Sequence, residues 1–372
     1  MNAAPSLIFD FGSHTIKAGI STHDTPDFII PSVFPSGEHN HPLGTPIPES
    51  AILDDAVANG EVNNEDRVNF LLATVFNHYF PDESMIPDDL KLVMTETPFS
   101  STNHTRYISE VAFELLGAEC ISIKPQSVLA VTQHTLPTAL CLDIGHDIMQ
   151  CVPMAKEYVI SPAMKRSHIA GSAMDLFSAR CQLDMTVFDT YAEFSRVHKY
   201  KMDHAKIHPR SYAKAIEGCK NEDTILNYTC GEILFKPSLI EAASEDHTNP
   251  KNDEEVSMLM ESYSAAEIVQ KSIVECDLNL QALLWSNIFV TGGVSKMSGF
   301  KERFQYEIEQ RSPPFAIPHI IYPEEDPIIS AWKGGALTAN YDDSRHWISR
   351  DQYDENPHIV FEKFRLFGTS TV

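Results

Sequence analysis

Basic residues are scarce: the 372-residue chain carries 28 Lys and Arg against 52 Asp and Glu, a formal net charge of −24. Binding to DNA, RNA or an anionic membrane depends on cations that neutralise phosphate, so this composition argues against all three and favours basic partners. Long hydrophobic runs are missing too, since no stretch approaches the ~20 apolar residues that span a bilayer. Met1-Asn2-Ala3-Ala4-Pro5-Ser6 carries no basic stretch, and Asp10 interrupts the short apolar run that follows, which predicts no signal peptide. The seven cysteines never fall in C-x-x-C spacing, and several sit inside apolar segments. They are expected as buried thiols in a reducing compartment, not as disulfides or a zinc site. Walker A, G-x-G-x-x-G, H-E-x-x-H and G-x-S-x-G patterns are absent, which leaves serine hydrolase, zinc protease and Rossmann dehydrogenase chemistry without support.

What is present is enough apolar material, 43% of residues against 22% charged, to build packed cores over a length that accommodates two or more domains. Leu7-Ile8-Phe9, Leu92-Val93-Met94, Ala139-Leu140-Cys141-Leu142 and Asn287-Ile288-Phe289-Val290 are continuous apolar runs of the kind that form strands buried on both faces. Helical periodicity lies between them, with Val68, Leu71, Leu72, Val75, Phe76 and Tyr79 on one stripe of 65–80, and Ile108, Val111, Ala112 and Leu115 on one stripe of 107–116. This alternation predicts an α/β fold with parallel or mixed sheets. The interval 35–64, rich in Pro, Gly, His and acids, predicts a loop-heavy excursion with one short helical piece at 49–57. The polar interval 184–218 is predicted helical, and 245–255 an acidic loop. Trp285, Trp332 and Trp347 are expected as packing anchors, and the sixteen histidines show no ligand-spaced cluster.

One pattern recurs. Leu7-Ile8-Phe9-Asp10-Phe11-Gly12-Ser13 and Leu140-Cys141-Leu142-Asp143-Ile144-Gly145-His146 both read as apolar strand, Asp, apolar residue, Gly and polar residue, and each is followed by a returning apolar stretch. Two such strand-turn-strand units predict two related α/β halves facing each other across a cleft. Phosphate binding needs closely approaching backbone N–H groups, which glycine permits, and a cation for the charge. The first turn supplies Asp10, Gly12, Ser13 and Lys17; the second supplies Asp143, Gly145, His146 and Asp147. Opposed across a cleft, Asp10 and Asp143 would bind Mg²⁺ through water while the turns hold phosphates. Thr291-Gly292-Gly293-Val294-Ser295 follows a buried strand, and its paired glycines allow a flat base or ribose to lie against backbone, with Met297 nearby.

These residues resemble the actin family from Leu7 to about Lys363. The two turns look like its phosphate loops and 287–299 like its adenosine segment. Ser330-Ala331-Trp332-Lys333-Gly334-Gly335-Ala336, Trp347-Ile348-Ser349-Arg350-Asp351-Gln352-Tyr353 and the segment 230–239 carry further matches. The resemblance implies the four-subdomain actin-like ATPase fold, with a first half over 1–136 (subdomain 2 shortened around 35–64), a second half over 137–335 (subdomain 4 around 172–255), and 336–372 returning to subdomain 1. It implies ATP or ADP with Mg²⁺ or Ca²⁺. Gln126 matches the glutamine that positions the attacking water, with Asp143 beside it.

Departures narrow the expectation. Gln150 replaces the assisting histidine and His146 an acidic loop residue, while Ile328 and Met297 differ from the family pattern near the base; nucleotide binding with slow or absent hydrolysis follows, hence a structural protein rather than an enzyme. Between Pro31 and Gly60 the chain is about a dozen residues shorter than the family pattern and lacks the loop that inserts into the cleft of the next filament subunit. A subunit that keeps one of two complementary surfaces terminates a filament. The shortened subdomain 2, 75–80, and the C-terminal stretch with Phe361, Phe364 and Arg365 resemble the branch at the pointed end of dynactin. That branch implies a cytoplasmic, cytoskeletal location and, as partners, the actin-related subunits of a short filament and the small pointed-end subunits. Segments 323–328 and 353–356 also resemble a nuclear actin-related subunit of SWR-type chromatin remodellers, whose partner would be a basic helix of the ATPase. A small-metabolite kinase of the same fold is a third expectation, but no sugar-binding segment is recognisable.

Overall fold

The computed structural model describes residues 6–134, 136–156, 158–245, 253–340 and 347–365, the last three of these by backbone alone. Most of the acidic loop expected at 245–255 and the side chains of Lys363, Phe364 and Arg365 therefore lie outside the described residues.

Among the described residues, nine strands belong to the first half: β1 Leu7–Phe11, β2 Thr15–Ile20, β3 Phe28–Pro31, β4 Val33–Pro35, β5 Leu53–Asp55, β6 Val57–Ala58, β7 Glu61–Val62, β8 Lys91–Glu96 and β9 Cys120–Pro125. The second half carries β10 Thr138–Ile144, β11 Met149–Ala155, β12 Tyr158–Val159, β13 Lys165–Ser167, β14 Ile288–Thr291 and β15 Ile320–Ile321, and β16 Ile348–Ser349 returns to the first sheet. The sheets run β16-β9-β8-β1-β2-β3 and β12-β11-β10-β14-β15. In both, a central apolar strand has an antiparallel hairpin partner on one side and a parallel neighbour on the other. The register repeats as well: Asp10 stands opposite Lys17 in one hairpin and Asp143 opposite Gln150 in the other. The internal echo in the sequence is thus a structural repeat that places one aspartate at the same point of each half.

Each sheet is covered by its own core. Phe9, Phe11, Val68, Leu72, Ile108 and Phe113 belong to the first; Leu140, Ile144, Phe177, Ile268, Trp285 and Phe304 belong to the second. The helix Glu65–Tyr79 begins where the Asn64 side chain accepts from the Arg67 N–H, carries Glu65 and Asp66 in its positive first turn, and buries the predicted stripe except Tyr79, which is half-buried. Trp285 and Trp332 are fully buried and Trp347 nearly so, as anchors. All seven cysteines are free; Cys120, Cys181 and Cys219 are half-buried and the other four buried.

The halves meet where two helices cross. Gln126–Thr132 connects the sheets, and Ser330–Ala339 lies across it, its buried face on Ile8, Val93 and Trp347 of the first half. A boundary at 335 would cut this helix, so the chain returns to the first half at Ser330. No side chain separates the two helices at the crossing: a Cβ on Gly334 would stand 1.8 Å from the Leu129 carbonyl oxygen.

The segment 49–57 is not helical. Leu53–Asp55 pairs antiparallel with Val33–Pro35, and the residues before it hydrogen-bond across the mouth of the cleft to the second half. Ile52 bridges Thr190; the N–H groups of Leu53, Tyr191 and Ala192 donate to the carbonyls of Asp189, Ala51 and Glu49 at 3.0, 2.9 and 3.0 Å. The helix Tyr191–His204 starts at this junction, where Thr190 and Glu193 form a capping box. Only 191–204 and 212–216 of the polar interval 184–218 are helical. The loop around 39–41 is pinned by buried Arg67, which donates to the carbonyls of His39 and His41 at 3.1 and 2.6 Å and lies over the Phe34 and Phe70 rings.

Gly334→Ala is expected to lower stability by about 1–3 kcal/mol or more, because a methyl group at the crossing must push two backbones apart. Urea denaturation followed by circular dichroism checks it; a midpoint equal to that of the unaltered chain would show that the crossing is not tight.

Candidate functional site

A cleft of about 740 Å³ opens between the halves. Of the predicted site residues, Asp10, Gly12, Ser13, Lys17, Gln126, Asp143, Gly145, His146, Asp147, Gly292, Gly293, Val294 and Met297 line it. Ser295 does not. It is buried, and its hydroxyl donates to the Gly292 carbonyl at 2.7 Å, closing the 3-10 turn Gly293–Lys296 rather than facing a ligand.

The two aspartates sit on opposite walls with different support. Asp10 is buried, accepts from Thr95 and from the Gln126 amide, both at 2.9 Å, and lies 3.5 Å from the Lys17 ammonium. Asp143 accepts from the Gln150 amide at 3.0 Å, and burial together with the charge of Asp10 pushes its carboxyl above the usual range. The two carboxylates, with the Lys17 ammonium beside Asp10, supply oxygen donors of the kind a hard divalent cation such as Mg²⁺ or Ca²⁺ takes. Gln126 is oriented by β1: its amide also donates to the Phe11 carbonyl at 2.8 Å. Gln150 joins the halves, accepting from Thr97 at 2.9 Å while donating to Asp143.

Backbone comes to the cleft surface at Gly292, whose φ of +88° disfavours any side chain and whose Cβ would lie 2.3 Å from the Ile144 carbonyl oxygen. Ile328 flanks Gly293, and Met297 lines the same wall, so this end offers an apolar slot beside bare backbone. The opposite end is closed by subdomain 2: the Gly60 N–H donates to the Ser13 hydroxyl at 3.2 Å, and the Asn59 N–H to Asp147 at 2.8 Å.

Beyond the turns lies a group that sequence inspection did not reveal. His14 of the first turn stacks on His198 of the helix Tyr191–His204, with ring centroids 4.4 Å apart, and stands 5.0 Å from the His146 ring of the second turn. Behind them Lys201 donates to Asp175 at 2.8 Å and to the Gly171 carbonyl at 3.0 Å, and all but a few per cent of both charged side chains is buried. Burial alone would raise the Asp175 carboxyl; Lys201, helped by His198 and His146, holds it at about 2. Burial and neighbouring positive charge lower the basicity of His14 to about 3, and burial lowers that of His146. The three histidines stand 132 and 52 residues apart in the chain (14 to 146, 146 to 198), so no local spacing signals their meeting.

Asp175→Asn leaves Lys201 charged and buried without its carboxylate and is expected to destabilise the fold by about 3–5 kcal/mol. The pair's contribution is complete above the unfolded carboxylate's pKa of about 4 and is lost as pH falls through about 2, because the folded form holds the group ionised more strongly. Denaturation curves from pH 2 to 7 check both: the gap between variant and unaltered chain narrows toward the acid end.

Compared with known families, the chain matches the actin family over residues 1–214 and 221–365. Among curated proteins, Actin-like protein 9 of Bos taurus is 24% identical over 386 aligned positions, covering 96% of this chain and 88% of that protein. Two sheets of repeated topology around a cleft, with the family match over nearly the whole length, support one conclusion: this chain belongs to the actin family, as a divergent actin-related protein.

Proposed function

We propose that this protein binds an adenine nucleotide, ATP or ADP, with Mg²⁺ or Ca²⁺, and serves as a structural subunit that terminates a short actin-like filament. The reading extends to the pointed end of dynactin, with neighbours among its actin-related and small pointed-end subunits, in the cytoplasm and in support of dynein-driven transport along microtubules. Asp10 and Asp143 would hold the cation through water, the turns at Gly12 and Gly145 the phosphates, and Gly292, Gly293 and Met297 the base and ribose. The cation would supply charge neutralisation for the phosphates.

The observation that carries the capping role is the inward fold of subdomain 2. Growth of a filament requires a free surface at each end of every subunit. Here the short segment that replaces the family's inserting loop spends its backbone donors and acceptors at 49–53 on residues 189–192 of the same chain. It presents no free edge there to a following subunit. Slow hydrolysis fits the cleft, because Gln126 and Gln150 cannot accept a proton and the basicity of His14 and His146 is depressed.

Mg-ATP at a hundred times its Kd should stabilise the protein by about 2.7 kcal/mol. Gly292→Val should abolish that gain, since the side chain would enter the Ile144 carbonyl; differential scanning fluorimetry with and without Mg-ATP reads both, and a melting temperature indifferent to Mg-ATP in the unaltered chain would end the nucleotide reading. Purification of the endogenous protein with its companions tests the assignment: dynactin subunits are expected, and recovery with chromatin-remodelling subunits alone would overturn it. By electron microscopy the isolated protein should remain single particles in Mg-ATP, and long filaments would contradict the capping role.

A further inference from the structure

We propose that the outer face of residues 194–216 is a docking surface for an acidic segment of a partner polypeptide, held by Arg196, Lys206, Arg210 and Lys214. The inference goes beyond the nucleotide and filament readings and needs neither. It gives the chain a second kind of partner beside the basic ones that its overall charge favours.

Charge is unevenly placed along the chain. Residues 194–216 hold six Lys and Arg against one acid, Asp203, whereas the remaining 22 of the 28 cations are set among 51 of the 52 acids. Two of the six are spent internally: Lys199 pairs with Asp203 at 2.7 Å and Lys201 with buried Asp175 at 2.8 Å. Arg196, Lys206, Arg210 and Lys214 are exposed, and among the described residues no carboxylate pairs with any of them. Elsewhere scarce cations are consumed within the fold, as Lys165 is by Glu275 and Arg303 by Glu232. Acidic runs of the same chain are committed as well: Asp253 and Glu255 to Arg180, Glu325 to Lys333, and Asp326 to Lys296. The four free cations therefore await an anion from outside.

Their backbone is fixed although their side chains are free. Arg196, Lys199 and Asp203 share one face of the helix Tyr191–His204 at i, i+3 and i+7, a row about 10 Å long, and Lys206 follows just past the helix end. The link beyond is seated on bare backbone: a Cβ on Gly231 would stand 2.2 Å from the Lys206 carbonyl oxygen, and one on Gly299 2.0 Å from that of Ile207. The Lys206 and Ile207 N–H groups donate to the carbonyls of Asn227 and Ser298 at 3.0 and 3.2 Å. Those of Arg210 and Ser211 both donate to His208 Nδ1, at 3.1 and 3.2 Å, and a hydrogen bond of 2.7 Å between the Tyr212 and Thr229 hydroxyls holds the short helix Tyr212–Ile216 that carries Lys214. Docking an anion here orders side-chain tips alone, which keeps its entropic cost low. A short run of Glu or Asp confined to the row meets these cations with little opposition, because charges beyond about 8 Å are screened at 0.15 M salt. A nucleic acid, whose phosphates extend past the row, meets the acidic remainder of the surface too, so the face suits a polypeptide acid.

Fluorescence anisotropy tests this with the full chain titrated into a labelled peptide of alternating Glu and Gly, its Gln-for-Glu counterpart, or an oligothymidylate. The Glu peptide is expected to bind, more weakly as salt rises through the physiological range, and the other two probes are not. Arg210→Gln combined with Lys214→Gln should weaken the Glu peptide about two- to thirtyfold, the fold-change of two exposed ion pairs. Lys236→Gln combined with Lys271→Gln makes an equal charge change at exposed positions elsewhere in the second half and should leave binding as it was. Lys214→Glu, a single change at an exposed position, serves should the first double variant fail to fold, and it too should weaken the Glu peptide. Equal affinity for the Glu and Gln peptides overturns the inference, as does an affinity unchanged by the Arg210 and Lys214 substitutions or lowered as much by those at Lys236 and Lys271. Tighter binding of the oligothymidylate than of the Glu peptide overturns it as well, since the partner would then be a polyphosphate. None of these outcomes touches the nucleotide or filament readings, whose tests are separate.

Discussion

The backbone contact between Gly334 and Leu129 sets the separation of the two halves, and the rest of the site follows from that spacing. The halves also touch within the cleft, where Gln150 on β11 accepts from Thr97, which follows β8. That one glutamine also holds Asp143, so a carboxylate of the second half is positioned by a residue anchored in the first. At the rim the same spacing brings 49–53 against 189–192 and the Asn59 N–H against Asp147. The cleft is therefore fixed at its floor by packing and at its mouth by main-chain hydrogen bonds.

Charge within the cleft explains why it suits a phosphorylated ligand despite a strongly acidic chain. Asp10 and Asp143 line the same cleft with Lys17 beside Asp10, whereas Asp175 is neutralised by Lys201 in a buried pair. The first arrangement leaves negative charge uncompensated, which a divalent cation can complete; the second removes a carboxylate that would otherwise repel phosphate.

Much of this was legible in the amino-acid order because it was local. Continuous apolar runs ending in glycine or polar residues became β1, β8, β10 and β14, and the repeated Asp-x-Gly turn became a repeated register. Gly292 was readable because close backbone approach demands glycine. What was not legible depended on contacts between distant segments. Residues 49–57 carry a helix-compatible composition, yet their partners at 33–35 and 189–192 impose extended backbone. Ser295 is a polar residue in a ligand-like motif, and only the turn's geometry directs its hydroxyl to Gly292. His198 lies in a helix whose sequence gives no hint that His14 stacks on it.

The strap across the cleft links the two parts of the proposed role. In a subunit that turns nucleotide over, the halves must part for exchange, and a subdomain free to contact the next subunit must stay free of its own second half. The hydrogen bonds from Leu53, Tyr191 and Ala192 oppose both requirements together: they occupy the edge that a successor would need and resist the opening that exchange would need. Each is modest, about 0.5–1.5 kcal/mol net, but they are antiparallel neighbours and must break as a set for the mouth to open. In the proposed role, a short subdomain 2 and slow hydrolysis would thus be linked departures from the family pattern. A segment short enough to reach residues 189–192 closes the cleft, and a closed cleft favours a nucleotide retained as part of the structure over one consumed.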